Sequence, residues 1–304
     1  MKIFVTGATG YIGGTVARRL IAAGHVVEGL VRTEEGARQV GVLGMVPLLG
    51  TLADRALLEA AARRADAVVN TANSDNRDVI EAVLPALAGS GKAFIQTSGS
   101  SIVGDKAAGE PSDKIYDETT PVHPLPEKAP RVAINDAVLA AAGQGVRAIV
   151  LCPSLIYGKG SGVHVESVQV PRLIALAKAS GVARHIGRGE NIWSNVHIDD
   201  LAELFLLALA KAPAGSFFYA ENGEASMKAT AQAISRMLGM GGRTEAWPLD
   251  EAAKAWGRES AEFTFASNSR VRAAAARRLL SWQPRGVTLL DDIEHGSYRQ
   301  GGAA

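Results

Sequence analysis

The stretch that decides the fold is Thr6-Gly7-Ala8-Thr9-Gly10-Tyr11-Ile12-Gly13, which directly follows the apolar run Lys2-Ile3-Phe4-Val5. The apolar run predicts a strand, and the spacing of apolar residues after the glycines predicts a helix over residues 12–23. A glycine turn that joins a strand to a helix is the context in which such a motif binds a dinucleotide.

Each glycine has its own purpose in this turn. Gly7 allows the chain to turn tightly, Gly10 lets the backbone approach a pyrophosphate, and Gly13 lets the helix pack closely on the sheet. The pyrophosphate is expected at the N-terminus of the helix, where free N–H groups and the helix dipole favour negative charge.

Short apolar runs alternate with helical patterns through the first half of the chain. Strands are predicted at residues 2–5, 26–31, 45–49, 67–71, 93–97 and 148–151, and helices lie between them at 12–23, 54–62, 78–88 and 132–142. Strands that are apolar on both faces and alternate with helices indicate a parallel sheet covered on both sides. Right-handed crossovers then give an α/β fold with a Rossmann-type, doubly wound parallel sheet.

The pattern changes after Tyr157, where predicted helices at 170–180, 201–210, 226–238 and 250–257 surround a strand at 216–220. We therefore assign residues 1–158, with roughly 195–222, to the nucleotide-binding domain. Residues 159–194 and 223–304 are assigned to a smaller C-terminal substrate-binding part. The segment 104–130, which is rich in proline and glycine, is expected to form a long loop beside the active site.

Composition narrows the range of partners. The chain of 304 residues has a net charge of +1, which gives no electrostatic reason to expect nucleic acid or an anionic membrane. Its one cysteine, Cys152, rules out an intrachain disulfide and is interpreted as a small buried hydrophobe. Because no signal peptide and no bilayer-spanning run is evident, we expect a cytoplasmic protein. Because no zinc-type ligand spacing is evident, we expect no metal. The expected partner is a small-molecule substrate. A homodimer is compatible with the sequence.

Four further motifs extend the similarity beyond the glycine turn. They are Val68-Val69-Asn70-Thr71-Ala72-Asn73, Phe94-Ile95-Gln96-Thr97-Ser98-Gly99-Ser100-Ser101, Pro153-Ser154-Leu155-Ile156-Tyr157-Gly158-Lys159-Gly160 and Asn195-Val196-His197-Ile198-Asp199-Asp200-Leu201-Ala202. With the Gly-x-x-Gly-x-x-Gly spacing, the chain resembles the extended, epimerase/dehydratase-like branch of the short-chain dehydrogenase/reductase superfamily. The resemblance implies a nicotinamide dinucleotide and an oxidoreductase. The residues expected to bind the cofactor are Gly7, Thr9, Gly10, Tyr11, Ile12, Gly13, Arg32, Leu52, Thr71, Ala72, Asn73, Thr97, Ser98, Pro153 and Ile156.

Arg32 indicates which dinucleotide is bound. It ends the second predicted strand, about 20 residues beyond the glycines, where an NAD-selective site places a carboxylate for the ribose 2′-hydroxyl. An arginine there suits a 2′-phosphate because of its fixed fork of donors. Glu34 and Glu35 follow slightly too late. The sequence thus favours NADP(H) and leaves NAD(H) open.

The proton-transfer pair of the superfamily, Tyr-x-x-x-Lys, is absent. The residues four positions after the five tyrosines are Thr15, Thr120, Ser161, Gly223 and Gly302, and none is a lysine. Counting back from Pro153 places Arg131 near the lysine position and Glu127 near the tyrosine position. The usual serine position falls on Gly99, between Ser98 and Ser100.

From this register we take Ser100, Glu127 and Arg131 as the candidate catalytic residues. Ser100 would bind a substrate carbonyl. Arg131 would supply positive charge but no proton, because arginine stays protonated. Glu127 would be an acid only if burial raised its pKa, and the neighbouring cations oppose that. Tyr116, His123, Tyr157 and His197 are weaker alternatives for the proton donor.

Three functions remain open at this point. The first is an NADP(H)-dependent oxidoreductase that interconverts a carbonyl and an alcohol on a small organic molecule. The second is a dinucleotide-binding regulator or redox sensor without turnover, suggested by the missing tyrosine. The third is a sugar-nucleotide epimerase or dehydratase, an activity that normally retains the tyrosine. Fold resemblance alone does not choose among them.

Overall fold

A computed structural model describes residues 1–299. Its centre is a parallel sheet of seven strands in the order β10-β6-β5-β4-β1-β2-β3. The strands are β1 (Lys2–Thr6), β2 (Val26–Val31), β3 (Val46–Leu49), β4 (Ala67–Asn70), β5 (Ala93–Thr97), β6 (Arg147–Pro153) and β10 (Ser216–Ala220). The predicted strands are thus confirmed, and the order reverses between β1 and β4, which is where a doubly wound fold opens a crevice for a nucleotide.

Helices cover both faces of this sheet, as the apolar strands predict. The helices are α1 (Tyr11–Ala22), α2 (Glu34–Val42), α3 (Arg55–Arg64), α4 (Asp78–Leu87), α5 (Ala129–Ala140) and α7 (Ile198–Lys211). Helices α1, α2 and α7 share one apolar core with the strands, and α3, α4 and α5 share the other. Helix α2 was not predicted; Thr33 begins it by accepting a hydrogen bond from the Gly36 N–H at 3.0 Å.

A smaller part is built on two short sheets and their helices, around a third apolar core. The sheets are β11-β9-β7 and β12-β8, with β7 (Leu155–Tyr157), β8 (Ala183–Ile186), β9 (Ile192–His197), β11 (Glu224–Ser226) and β12 (Thr244–Trp247). Its helices are α6 (Gln169–Ser180), α8 (Met227–Met237), α9 (Leu249–Trp256), α10 (Arg258–Ser260) and α12 (Leu289–His295). Helix α11 (Ala274–Leu280) comes from the same stretch of the chain but packs on the large sheet.

The boundary between the two parts differs from the expected one in two places. Strand β9 pairs with β7 in the small sheet, although residues 195–222 were assigned to the nucleotide-binding domain. Conversely, Ala276 and Leu280 of α11, and Trp282 after it, are buried in the core of the large sheet. The chain therefore returns to the nucleotide-binding domain after residue 223.

The segment 104–130 is irregular, as expected, but it does not border the site along its length. It is held on the C-terminal segment instead: the Gly109 N–H donates to the Ala266 carbonyl at 2.9 Å, and Tyr116 forms a parallel bridge with Val271. Within this segment, only Lys128 lines the cavity in which we expect the chemistry.

Candidate active site

The glycine turn forms a cradle at the carboxyl end of β1. Gly7 has a φ of +72°, and a Cβ there would lie 2.7 Å from the Thr71 carbonyl oxygen. A Cβ on Gly13 would overlap the Gly7 carbonyl and the Thr71 hydroxyl. Helix α1 begins just after Gly10 without a side-chain cap and without an acidic residue in its first turn. The glycines therefore allow this close packing of the turn, and the free N–H groups at the start of α1 fit a pyrophosphate.

Two cavities adjoin the cradle and share Gly10 and Thr71. We call the first the Arg32 cavity; it has a volume of about 550 Å³ at the ends of β1, β2 and β4. It is lined by small, apolar and polar residues with two basic side chains and no carboxylate: Gly7, Thr9, Gly10, Leu30, Val31, Arg32, Thr51, Leu52, Thr71, Ala72, Asn73 and His164.

The second, the Ser98 cavity, has a volume of about 390 Å³ and lies between the large sheet and the smaller part. The nucleotide-binding domain contributes Tyr11, Ser98, Ser100, Arg131 and Pro153, among others, to its lining. The later part of the chain contributes Ser167, Val168, Gln169, Trp193, Glu259 and Thr264. A dinucleotide lying across the cradle would place one end in each cavity.

Arg131 lies in the Ser98 cavity and is held rigidly. Its Nε donates to Asp75 Oδ1 at 2.8 Å, its Nη2 contacts the other oxygen of that carboxylate, and its Nη1 donates to Ser101 Oγ at 2.9 Å. The Arg131 guanidinium thereby holds the pKa of Asp75 below its usual range. The bidentate pair neutralises much of the charge of Arg131.

Gly99, which stands where the family usually has a serine, lies close to Arg131. A Cβ on Gly99 would lie 3.2 Å from Arg131 Nη1, so a residue larger than glycine would crowd the guanidinium. A serine at position 99 would therefore require the Arg131 guanidinium to shift by a few tenths of an ångström.

Ser100 also lines the Ser98 cavity and is 1% exposed. Ser269 Oγ lies 2.8 Å from both the hydroxyl and the carbonyl oxygen of Ser100. When Ser269 donates to the hydroxyl, the hydrogen of Ser100 is free to point into the cavity.

Glu127 does not occupy the position expected of it. Its carboxylate accepts from Lys106 Nζ at 2.8 Å, its side chain is 38% exposed, and it does not line the Ser98 cavity. Hydrogen bonding to Lys106 lowers the pKa of Glu127, which is the opposite of what a general acid requires. The spacing along the chain put Glu127 near the tyrosine position, but its side chain points to Lys106.

Thirteen of the fifteen residues expected to contact the cofactor line one of the two cavities. The two exceptions are Gly13, which packs on the cradle, and Thr97, which is 4% exposed on β5. Sequence reasoning missed His164. A close approach between Gly14 and Gly162 and a hydrogen bond from the His164 N–H to the Thr9 carbonyl (3.2 Å) bring it over the cradle. No local pattern signals such a long-range contact.

The alternative proton donors are structural residues in this fold. The Tyr157 hydroxyl donates to the Val287 carbonyl at 2.6 Å, and His197 accepts from the Asp199 N–H at 3.2 Å, as a helix cap. Neither Tyr116 nor His123 lines the Ser98 cavity. Tyr11 is the one tyrosine in its lining, but its hydroxyl donates to the Gly158 carbonyl at 2.8 Å and burial raises its pKa strongly.

Cys152 is fully buried, and burial raises the pKa of its thiol to about 12. The interpretation of Cys152 as a small buried hydrophobe is confirmed. Across residues 1–299, no cluster of three histidine, cysteine or acidic side chains is arranged to hold a metal ion. No helix in the same range has the length and apolar character needed to cross a membrane.

Comparisons with known proteins agree with this geometry. Residues 3–218 match the model of the NAD dependent epimerase/dehydratase family, and the chain belongs to that family. It is an NAD(P)-dependent oxidoreductase of the extended short-chain dehydrogenase/reductase type.

Three relatives illustrate the range of the family. An uncharacterized protein of Schizosaccharomyces pombe is 34% identical over 98% of this chain and 100% of its own length. A protein of Acremonium sp named an oxidase is 30% identical over 96% of this chain and 95% of its own. A 4-hydroxy-2-methyl-3-oxo-4-farnesyl-3,4-dihydroquinoline-1-oxide ketoreductase of Stigmatella aurantiaca is 29% identical over 73% and 69%, respectively.

The fold also matches solved structures. The dTDP-glucose 4,6-dehydratase of Bacillus anthracis, solved with NAD, superposes with a TM-score of 0.76 at 18% identity. The match covers 96% of this chain and 95% of that one. At this identity the match shows the fold alone.

Proposed function

We propose that the protein is an NADP(H)-dependent oxidoreductase that interconverts a carbonyl and an alcohol on a small organic substrate. The observation that carries the cofactor preference is the Arg32 cavity, which offers an exposed guanidinium and no carboxylate. Arginine binds a 2′-phosphate, whereas a carboxylate would be needed to select the 2′-hydroxyl of NAD. Two of the relatives carry the names oxidase and ketoreductase, which fits redox chemistry at a carbonyl.

Each cavity has its own task in this proposal. A nicotinamide held in the Ser98 cavity would supply or accept the hydride. Pro153, Ile156 and Trp193 are apolar residues of the cavity lining and would limit the access of water to it. Ser100, positioned by Ser269, donates a hydrogen bond to the substrate oxygen as charge develops there. Arg131 orients the ribose, because Asp75 and Ser101 fix its guanidinium.

Consumption of NADPH and of NADH against a panel of aldehydes and ketones tests the proposal. We expect turnover with NADPH and a lower kcat/KM with NADH. Ser100→Ala should lower kcat by about 10²-fold, the loss typical of a deleted oxyanion donor. Ser269→Ala should give a smaller loss, since Ser100 keeps its hydroxyl. If no carbonyl compound is turned over with either cofactor, the proposed oxidoreductase activity is contradicted.

A second candidate is a dinucleotide-binding regulator without turnover. It is favoured by the ion pairs of the two residues expected near the tyrosine and lysine positions, since Glu127 pairs with Lys106 and Arg131 pairs with Asp75. Tight NADPH binding without consumption of any carbonyl would support this reading. Sugar-nucleotide conversion ranks third, and NAD that co-purifies with the protein would favour it.

A further inference from the structure

A buried lysine in the Ser98 cavity has no part in the chemistry described so far. Lys128 stands at the start of α5, its side chain is 6% exposed, and it lines the cavity beside Arg131. Its ammonium lies 5.1 Å from the centroid of the Phe263 ring. A buried ammonium is costly unless an anion compensates it, so the partner of Lys128 is informative.

That partner is Glu259, whose carboxylate accepts from Lys128 Nζ. The two sides of the pair differ: the lysine is enclosed, whereas the Glu259 side chain is 66% exposed. Glu259 belongs to the three-residue helix α10, which follows Gly257 (φ +81°) and runs into a π-helical turn at Ala261–Phe265. The Glu259 carboxylate therefore lies on a short surface segment at the rim of the cavity. Moving Glu259 away from Lys128 would break few buried contacts.

Displacement of Glu259 would leave one uncompensated positive charge in the cavity. Three charged residues line it: Lys128, Arg131 and Glu259. Arg131 is already neutralised by the bidentate contact with Asp75. The charge of Lys128 would then face the substrate in a site of low dielectric, where it binds an anion strongly.

We propose that Lys128 binds a carboxylate of the substrate in place of Glu259, so that the Ser98 cavity selects oxo acids over neutral ketones. The inference rests on the proposed function and specifies its substrate class. The carboxylate of the substrate takes over the contact with Nζ, and Glu259 moves into solvent.

Lys106 provides a matched control within the same chain. Its ammonium lies 5.3 Å from the same Phe263 ring, but its side chain is 46% exposed and pairs with Glu127 outside the cavity. Lys106→Met therefore removes an equal charge beside the same aromatic ring without touching the cavity.

The experiment compares benzoylformate with its methyl ester, which has the same reducible carbonyl but no charge. We expect Lys128→Met to raise KM for benzoylformate by about 10- to 100-fold, the range of a charge-assisted contact, and to change KM for the ester less than about 2-fold. Lys128→Arg should keep most of the affinity for the acid. Glu259→Gln should lower KM for the acid alone, because the competing anion is gone. Lys106→Met should change neither.

Binding of phenylacetate, which has no reducible carbonyl, separates this inference from the proposed function. It is titrated into the NADP⁺ complex by calorimetry, so it needs no turnover. Loss of binding in Lys128→Met and tighter binding in Glu259→Gln would support the inference even if no carbonyl consumed NADPH. Equal effects of Lys128→Met on acid and ester, or unchanged phenylacetate binding, would overturn it. If Lys128→Met does not fold, Glu259→Gln decides alone, and unchanged affinity for the acid overturns the proposal.

Discussion

Replacement of Arg32 by alanine should weaken the binding of NADPH and leave that of NADH almost unchanged. Arg32 directly follows β2, its side chain is exposed, and none of the ion pairs found within residues 1–299 involves it. Its guanidinium is therefore available to a 2′-phosphate in the Arg32 cavity. NADH has a hydroxyl at that position and gains little from the cation.

The size of the effect follows from the exposure of Arg32. Two unit charges about 4 Å apart attract by about 1 kcal/mol in water and about 4 kcal/mol at the dielectric typical of a protein surface. Since the side chain is exposed, solvent screening keeps the value in the lower part of that range. A loss of about 1–2 kcal/mol corresponds to a Kd for NADPH that rises by about 5- to 30-fold.

The assay is a fluorescence titration of NADPH and NADH against the wild type and the variant. Arg38→Ala is the matched control, because Arg38 is an exposed arginine on α2 that pairs with Glu35 and does not line the cavity. Salt at about 1 M, where the screening length is about 3 Å, should shrink the preference of the wild type. Equal affinities of the wild type for the two cofactors, or equal losses for both in Arg32→Ala, would refute the reasoning.

Three further predictions follow from particular contacts. In Gly13→Ala the new Cβ would overlap the Gly7 carbonyl. We expect this variant either to show no measurable binding of the two cofactors in a titration or to be unfolded in a thermal melt. Binding at the wild-type level would contradict the assignment of the pyrophosphate to the glycine turn. Glu127→Gln removes an exposed ion pair with Lys106, so kcat should stay within about 2-fold of the wild type and Tm should hardly change. A loss of kcat near 10²-fold would instead indicate that Glu127 is a general acid. Cys152, buried and with a pKa near 12, should resist thiol reagents from pH 7 to 9 in the folded protein and react only in denaturant; rapid labelling of the native protein would show that the burial is wrong.

The large sheet could be read from the sequence because its signals are local. Strands β4 and β6 contain uninterrupted apolar runs, Ala67-Val68-Val69 and Ala148-Ile149-Val150-Leu151-Cys152, and the glycine turn fixes where the first crossover begins. Both faces of a strand in a parallel sheet are buried, so each strand appears in the sequence as a nearly continuous run of apolar residues. The two small sheets escaped prediction because strands such as Glu224–Ser226 are only three residues long and depend on distant partners.

In the candidate site, too, residues on local motifs could be predicted from the sequence, whereas residues that depend on distant contacts could not. The residues expected to bind the cofactor lie on motifs with fixed spacing, and thirteen of the fifteen line one of the two cavities. Glu127 was misplaced because spacing along the chain cannot show which way a side chain turns at the start of a helix. Lys128, one residue later, turns into the cavity, where Phe263 and Glu259 hold it. Both partners are more than 130 residues away in the sequence.

The central claim is that the two cavities are the two halves of one NADP(H) site. A crystal structure with NADP⁺ tests it most directly. The account predicts the 2′-phosphate within hydrogen-bond distance of the Arg32 guanidinium, the pyrophosphate on the N–H groups of α1, and the nicotinamide in the Ser98 cavity beside Pro153. A 2′-phosphate directed away from Arg32, or a nicotinamide outside the Ser98 cavity, would contradict it.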